Sequence, residues 1–218
     1  MQPQRMGPFP FVPIGQRPRL TWPDNARVAL WVIPNIEFFP LNEGVPPASA
    51  KGSGRIPDVP IFSVRDYGAR VGVWRLMELF SRFGVRATVA LNSDVCEAYP
   101  QIIDEAVKLN WEFMGHNERN TRRLNEIPPE DEPRVIQSTL TTIEKATGKK
   151  PAGWLGSGLQ ETKLVIEEVM AAGSAGKQVQ LLFEAVFHFA ALAIQIVIQL
   201  VRIAGQIGHE ESGIGSLL

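Results

Sequence analysis

Short apolar runs separated by stretches of helical periodicity constrain this chain more than any other feature. Residues 27–33 (Arg-Val-Ala-Leu-Trp-Val-Ile) are almost purely apolar, closed by Pro34 and preceded by Pro23-Asp24-Asn25. That pattern predicts a strand buried on both faces. Over residues 72–83, Val73, Leu76, Met77, Leu79 and Phe80 recur at helical spacing, with Gly84 as the stop. A second buried strand is predicted over 86–91, a helix over 100–109 and a third strand over 111–114. Another helix follows over 133–146, ended by Thr147-Gly148. Strand, helix, strand, helix, strand dictates parallel α/β architecture with right-handed crossovers, the three strands being neighbours in one sheet.

Composition narrows the function. Of 218 residues, 44% are hydrophobic and 21% charged, enough for one good core and little for two. A net charge of −1 gives no field for nucleic acid or an anionic membrane, so no nucleic-acid partner is expected. The single cysteine, Cys96, forms no internal disulfide, which removes cysteine usage as a sign of secretion. Residues 1–26 are proline-rich with no apolar run of signal-peptide length. They read as an extended N-terminal arm, and the cytoplasm is the expected location. Residues 40–63 are rich in Pro, Gly and Ser and predict a long loop of the kind that lines a site. A helix also fits 161–172, ahead of the glycine-rich stretch 173–176.

Parallel α/β folds carry function at the carboxyl ends of their strands. The first predicted strand ends in Asn35-Ile36-Glu37, the second in Asn92-Ser93-Asp94, and the third in Gly115-His116-Asn117-Glu118-Arg119-Asn120. A carboxylate, an imidazole and several amides thus meet on one rim from distant segments. Glu37 suits a general base or a ligand, and His116 an acid, a base or a ligand. Spacing alone favours a plainer role, in which both are loop residues bonded to nearby backbone.

Five ordered motifs carry a resemblance. Val28-Ala-Leu with Asn35-Ile-Glu37, then Arg65-Asp-Tyr-Gly-Ala-Arg-Val-Gly72, then Gly84-Val-Arg-Ala-Thr88, then Glu112-Phe-Met-Gly-His116, then Pro151-Ala-Gly-Trp154 are similar to the polysaccharide deacetylase (nodulation-deacetylase-like) superfamily. Within it the pattern most resembles the branch of metal-independent allantoinases. The likeness covers about residues 8–173. It implies a distorted relative of the (β/α)-barrel, incomplete here, over residues 27–173. It implies hydrolysis of a non-peptide carbon–nitrogen bond in an acetylated sugar or a linear or cyclic amide. Glu37 and His116 would then be catalytic, with Asn35, Arg65, Tyr67, Asn92, Asn120 and Trp154 holding substrate.

The departures from that family also inform. Metal-dependent members pair two aspartates after the first strand and two histidines four residues apart. This chain has Asn35-Ile36-Glu37 and, for the second histidine, Asn120. One histidine and one glutamate fall short of the three protein ligands of catalytic zinc, so either no metal or a weak zinc at His116 is expected. Ala152 stands where the family places an arginine. After Gly173 neither the family's acidic motif nor its late histidine is found.

Residues 177–206 differ in character. Their polar residues Glu184, His188, Gln195, Gln199, Arg202 and Gln206 stack in one narrow stripe, which predicts a long apolar helix on the order of 40 Å. The uncharged run 185–201 is at the short limit for crossing a membrane and carries His188 and two glutamines. Self-association through residues 177–204 is therefore expected ahead of membrane insertion or a foreign appendage. Residues 207–218, rich in Gly and Ser, predict a flexible tail. Two functions stay open on these grounds: a carbon–nitrogen hydrolase, and an inactive truncated or chimeric derivative that binds or assembles.

Overall fold

The computed structural model of the chain describes residues 11–19, 21, 23–28, 30–44, 55–151, 153–160, 162 and 164–165. The apolar helix predicted over 177–206 and the tail after it lie outside the described residues, as does nearly all of the helix predicted over 161–172. Among the described residues no helix is long and apolar enough to cross a membrane. The chain divides into two compact units, Met1–Trp31 and Val32–Leu218. The described part of the first holds two short 3-10 turns, Ile14–Gln16 and Pro23–Asn25.

The second unit is built on a four-stranded sheet in the order β1 (Asn35–Ile36), β2 (Thr88–Leu91), β3 (Glu112–Gly115) and β4 (Gly153–Trp154), every neighbouring pair parallel. The helices are α1 (Val59–Tyr67), α2 (Val73–Arg82), α3 (Asp94–Ala98), α4 (Pro100–Lys108) and α5 (Glu132–Thr147), with a π-helical turn, Gly68–Gly72, between α1 and α2. The predicted parallel α/β architecture is therefore what forms. The second and third strands and the helices over 72–83, 100–109 and 133–146 fall within a few residues of their predicted bounds.

The first strand does not form where the apolar run predicts it. Val28 and Leu30 are exposed, and the ladder to β2 begins at Val32. Thr88 N–H donates to Val32 O, Ala90 N–H to Pro34 O and Asn92 N–H to Ile36 O, at 3.0, 3.1 and 3.1 Å. Pro34 does not end the strand. Its carbonyl serves the ladder, and its missing N–H confines the complete bridges to Asn35–Ile36.

The predicted loop over 40–63 also needs correction, because α1 begins inside it. Asp58 accepts from Ile61 N–H at 3.2 Å and Pro60 occupies the first turn, a start signal written in the sequence as Asp58-Val-Pro. In α5 the buried positions Val135, Ile136, Thr139, Leu140, Ile143 and Thr147 follow helical spacing. Gly148 closes it in the left-handed conformation at φ 68°.

Side-chain alternation gives the sheet two faces. Ile36, Val89, Leu91 and Phe113 face the helices and pack with Val73, Met77, Val95, Ile102, Ile103, Ala106 and Ile143. Ala90 and Met114 face the other way, packing with Leu155 and Ile33. The residues that follow on this second face at the strand ends form the site.

Candidate active site

Ile36, Leu91, Gly115 and Trp154 stand side by side in register across the sheet. One residue further along, Glu37, Asn92, His116 and Leu155 therefore share a row at the carboxyl ends, on the face of Ala90 and Met114. Chain order puts these residues far apart; parallel pairing makes them neighbours.

His116 is 2% exposed. Its Nδ1 bonds the carbonyl oxygen of Leu155. A carbonyl only accepts, so Nδ1 carries a proton and Nε2 is left to do chemistry. Nε2 faces Glu37 Oε1 at 3.4 Å and makes no hydrogen bond. A proton between the two, or a donor and acceptor brought by a bound molecule, would satisfy both atoms.

Glu37 is further held by Arg65, whose Nη1 lies 3.3 Å from Oε2. Burial pushes the Glu37 carboxyl up. The His116 ring, the Arg65 guanidinium and the Asn120 N–H together outweigh it and hold the group below the usual carboxylate value. Arg65 itself is steadied by Phe39, with the guanidinium carbon 3.8 Å from the ring centroid. The start of α1 thus has a direct consequence for the site, because it carries Arg65 to Glu37.

Asn92 and Asn120 lie beneath this pair and are spent on protein groups. Asn92 Oδ1 accepts from Phe38 N–H at 2.8 Å, and its Nδ2 donates to His116 O and, at 3.2 Å, to Asn120 Oδ1. Ser157 Oγ lies 2.8 Å from His116 O and 2.5 Å from Asn120 Oδ1. Ser157 was not singled out by the sequence. It carries no motif signal, and only the fold of the segment after β4 brings it here. Asn117 also escaped the sequence reading: it is 1% exposed, has φ 62°, and neither of its amide atoms is hydrogen-bonded.

Three candidates stand apart from the Glu37–His116 pair. Asn35 is exposed on β1 and makes no polar contact with either residue. Tyr67 is exposed, and its hydroxyl accepts from Arg75 at 3.2 Å. Trp154 is 5% exposed and packs in an apolar cluster with Leu124, Ile136, Leu140 and Val165. It lies over Gly115, where a Cβ would sit 2.4 Å from its ring, so glycine is what admits the indole.

Around the rim, Arg119 ties the loop after β1 to α3, with Nη1 2.7 Å from Glu43 Oε1 and Nε 2.7 Å from Asp94 Oδ2. Thr121 donates to the other Glu43 oxygen. Burial raises the Asp94 carboxyl, and Arg119 pulls it partly back.

Among the described residues, His116 and Glu37 supply two of the three protein ligands that catalytic zinc takes. Among the described residues no three His, Cys, Asp or Glu side chains come together. At position 120, where the resemblance implies a second histidine in metal-dependent members, Asn120 commits its oxygen to Asn92 and Ser157.

The chain is similar to known proteins in sequence and in fold. Residues 57–175, more than half of the chain, match the polysaccharide deacetylase family model. A Schizosaccharomyces pombe protein assigned to the polysaccharide deacetylases is 26% identical over 147 residues, covering 61% of this chain and 46% of that protein. The solved PuuE allantoinase is similar in fold, with a TM-score of 0.63 and 23% identity over 77% of this chain and 59% of its own. So is a Pseudomonas aeruginosa PAO1 protein assigned to the polysaccharide deacetylases, with a TM-score of 0.64, 24% identity and the same coverage. The chain thus spans about half the length of these relatives. A parallel sheet with a carboxylate and an imidazole meeting at its strand ends, and a family match running from before α1 to beyond β4, make this chain a member of the polysaccharide deacetylase family.

Proposed function

We propose that this protein hydrolyses a non-peptide carbon–nitrogen bond, with Glu37 and His116 moving the protons. The observation that carries the reading is the pair itself: Nε2 of a buried imidazole, 3.4 Å from a carboxylate oxygen, with the other ring nitrogen committed to Leu155 O. Glu37, held ionised, takes a proton from the attacking water. His116, protonated at Nε2, hands one to the departing nitrogen. Arg65 keeps the carboxylate aimed. Glu37 is already neutralised by cationic and donor groups, so the fitting substrate is an uncharged amide. An N-acetylated sugar, a ureide and a cyclic imide all meet that description. The reading needs no metal, since both proton carriers belong to the chain.

The test is a hydrolysis screen of acetylated sugars, ureides and cyclic imides with and without chelator. Turnover of one class that chelator leaves unchanged is expected. Turnover that chelator abolishes and zinc restores would overturn the metal-free reading. A second reading is an inactive derivative that only binds or assembles. Binding of one of these amides without turnover would establish it.

The lowered Glu37 pKa also predicts a pH dependence of stability. A carboxyl whose folded pKa lies below its unfolded one stabilises the fold above the unfolded pKa. That contribution is lost as pH falls through the folded value. The stability difference between the wild-type protein and Glu37→Gln, followed by urea unfolding, should therefore be constant near neutrality and change only below the ordinary carboxylate range. A difference independent of pH down to strong acid would show that Glu37 is not held ionised.

A further inference from the structure

At the end of β2 the main chain leaves the ladder to β1 one bond early. Asn92 N–H still donates to Ile36 O at 3.1 Å, as a parallel pair requires. The Asn92 carbonyl, which would next accept from Phe38 N–H, instead accepts from Val95 N–H at 3.1 Å as the chain turns into α3. Phe38 N–H still needs an acceptor, and the Asn92 side chain supplies one, with Oδ1 2.8 Å away. An N–H only donates, so this amide can sit no other way round, and its Nδ2 then donates to His116 O on the far side. The side-chain amide thus stands in for a peptide between β1 and β3. Asn92 is 0% exposed, so water does not compete for either bond.

Both bonds fall on peptides that adjoin the proposed catalytic pair. Phe38 N–H belongs to the peptide that Glu37 begins, and the carbonyl is His116's own. We propose that Asn92 is a positioning residue, whose amide holds these two peptides at the spacing that brings His116 Nε2 within 3.4 Å of Glu37 Oε1. The side chains themselves are turned by other groups, Arg65 on Glu37 Oε2 and Leu155 O on His116 Nδ1. Those groups do not fix the distance between the two backbones, because β2 lies between them and its main chain reaches β1 no further than Ile36. Asn120 N–H also donates to Phe38 O at 3.1 Å, but from four residues beyond His116, and Ser157 Oγ meets His116 O from the segment after β4. Both keep the strand ends attached when Asn92 is changed, and neither joins the Glu37 peptide to that of His116. The role rests on the proposed function of Glu37 and His116, and part of its test reads the bonds without turnover.

In the full chain, NMR should show scalar couplings across both hydrogen bonds, from Phe38 N to Asn92 Cγ and from Asn92 Nδ2 to the His116 carbonyl carbon. Absence of either coupling overturns the proposal. Asn92→Ser is a neutral change, too short to bridge both partners. On an amide that the wild-type protein hydrolyses, it should lower kcat by about ten- to a hundredfold, the scale of an ångström of misplacement, and leave KM within about twofold. Placed in the Glu37→Gln protein, the same change should cost no further rate, because the spacing no longer serves a base. An unchanged kcat in Asn92→Ser, or its full loss repeated on top of Glu37→Gln, would refute the positioning role. If Asn92→Ser does not fold, Asn92→Asp, which keeps an acceptor for Phe38 N–H and loses the donor to His116, takes its place with the same expectations. Should the protein hydrolyse none of the amides, the proposed function fails and a crystal structure of the variant decides. Nε2 and Oε1 drawn beyond about 4 Å would support the role, and a separation still at 3.4 Å would end it.

Discussion

Glu37→Gln should lower hydrolysis of a responsive amide by more than about a hundredfold, the usual scale for losing general acid–base help. The variant keeps the size of the side chain and its contact with Arg65 while removing the group that accepts the proton. His116→Ala should lower the rate at least as far, because no other imidazole among the described residues stands at the sheet's carboxyl end. It also leaves the Leu155 carbonyl without its ring partner and opens a cavity at a 2% exposed position, so Glu37→Gln is the cleaner measurement. Steady-state rates on the two purified variants, with unfolding curves to show that both are folded, settle the matter. A folded Glu37→Gln protein within a few-fold of wild type would remove Glu37 from the chemistry.

Trp154→Ala should cost about 3–5 kcal/mol of stability, the range for deleting a large buried aromatic side chain. The indole fills the space left by Gly115 and closes the cluster of Leu124, Ile136, Leu140 and Val165, so its removal opens a cavity among them. The urea midpoint should fall steeply, while the fraction that stays folded should keep its KM. The opposite pattern, unchanged stability with a raised KM, would mean that Trp154 touches substrate, as the family resemblance implies.

Sequence alone determined a good deal of this protein. Apolar runs of strand length between helically spaced segments dictate a parallel sheet, because a strand buried on both faces needs helices to cover it. That same alternation places Glu37 and His116 at the carboxyl ends of two strands of one sheet, and both were legible as candidates before any geometry was known. Gly148 after Thr147 marks the end of α5, because the left-handed cap is a local requirement.

Tertiary structure decided what depends on partners distant in sequence. Pro34 reads locally as a strand breaker, yet its carbonyl is usable once Ala90 N–H lies opposite it. Arg65 becomes a site residue only because the helix started by Asp58 carries it to Glu37. Asn92 and Asn120 look like amides free for substrate, but their hydrogen bonds go to Phe38, His116, Ser157 and each other, because buried polar groups take partners wherever the fold supplies them. Trp154 is drawn into the core by a glycine 39 residues earlier, a vacancy that no local pattern around the tryptophan records. Periodicity and capping are properties of a segment and can be read from it. The identity of the neighbour across the sheet is a property of the whole fold, and that neighbour gives each of these side chains its role.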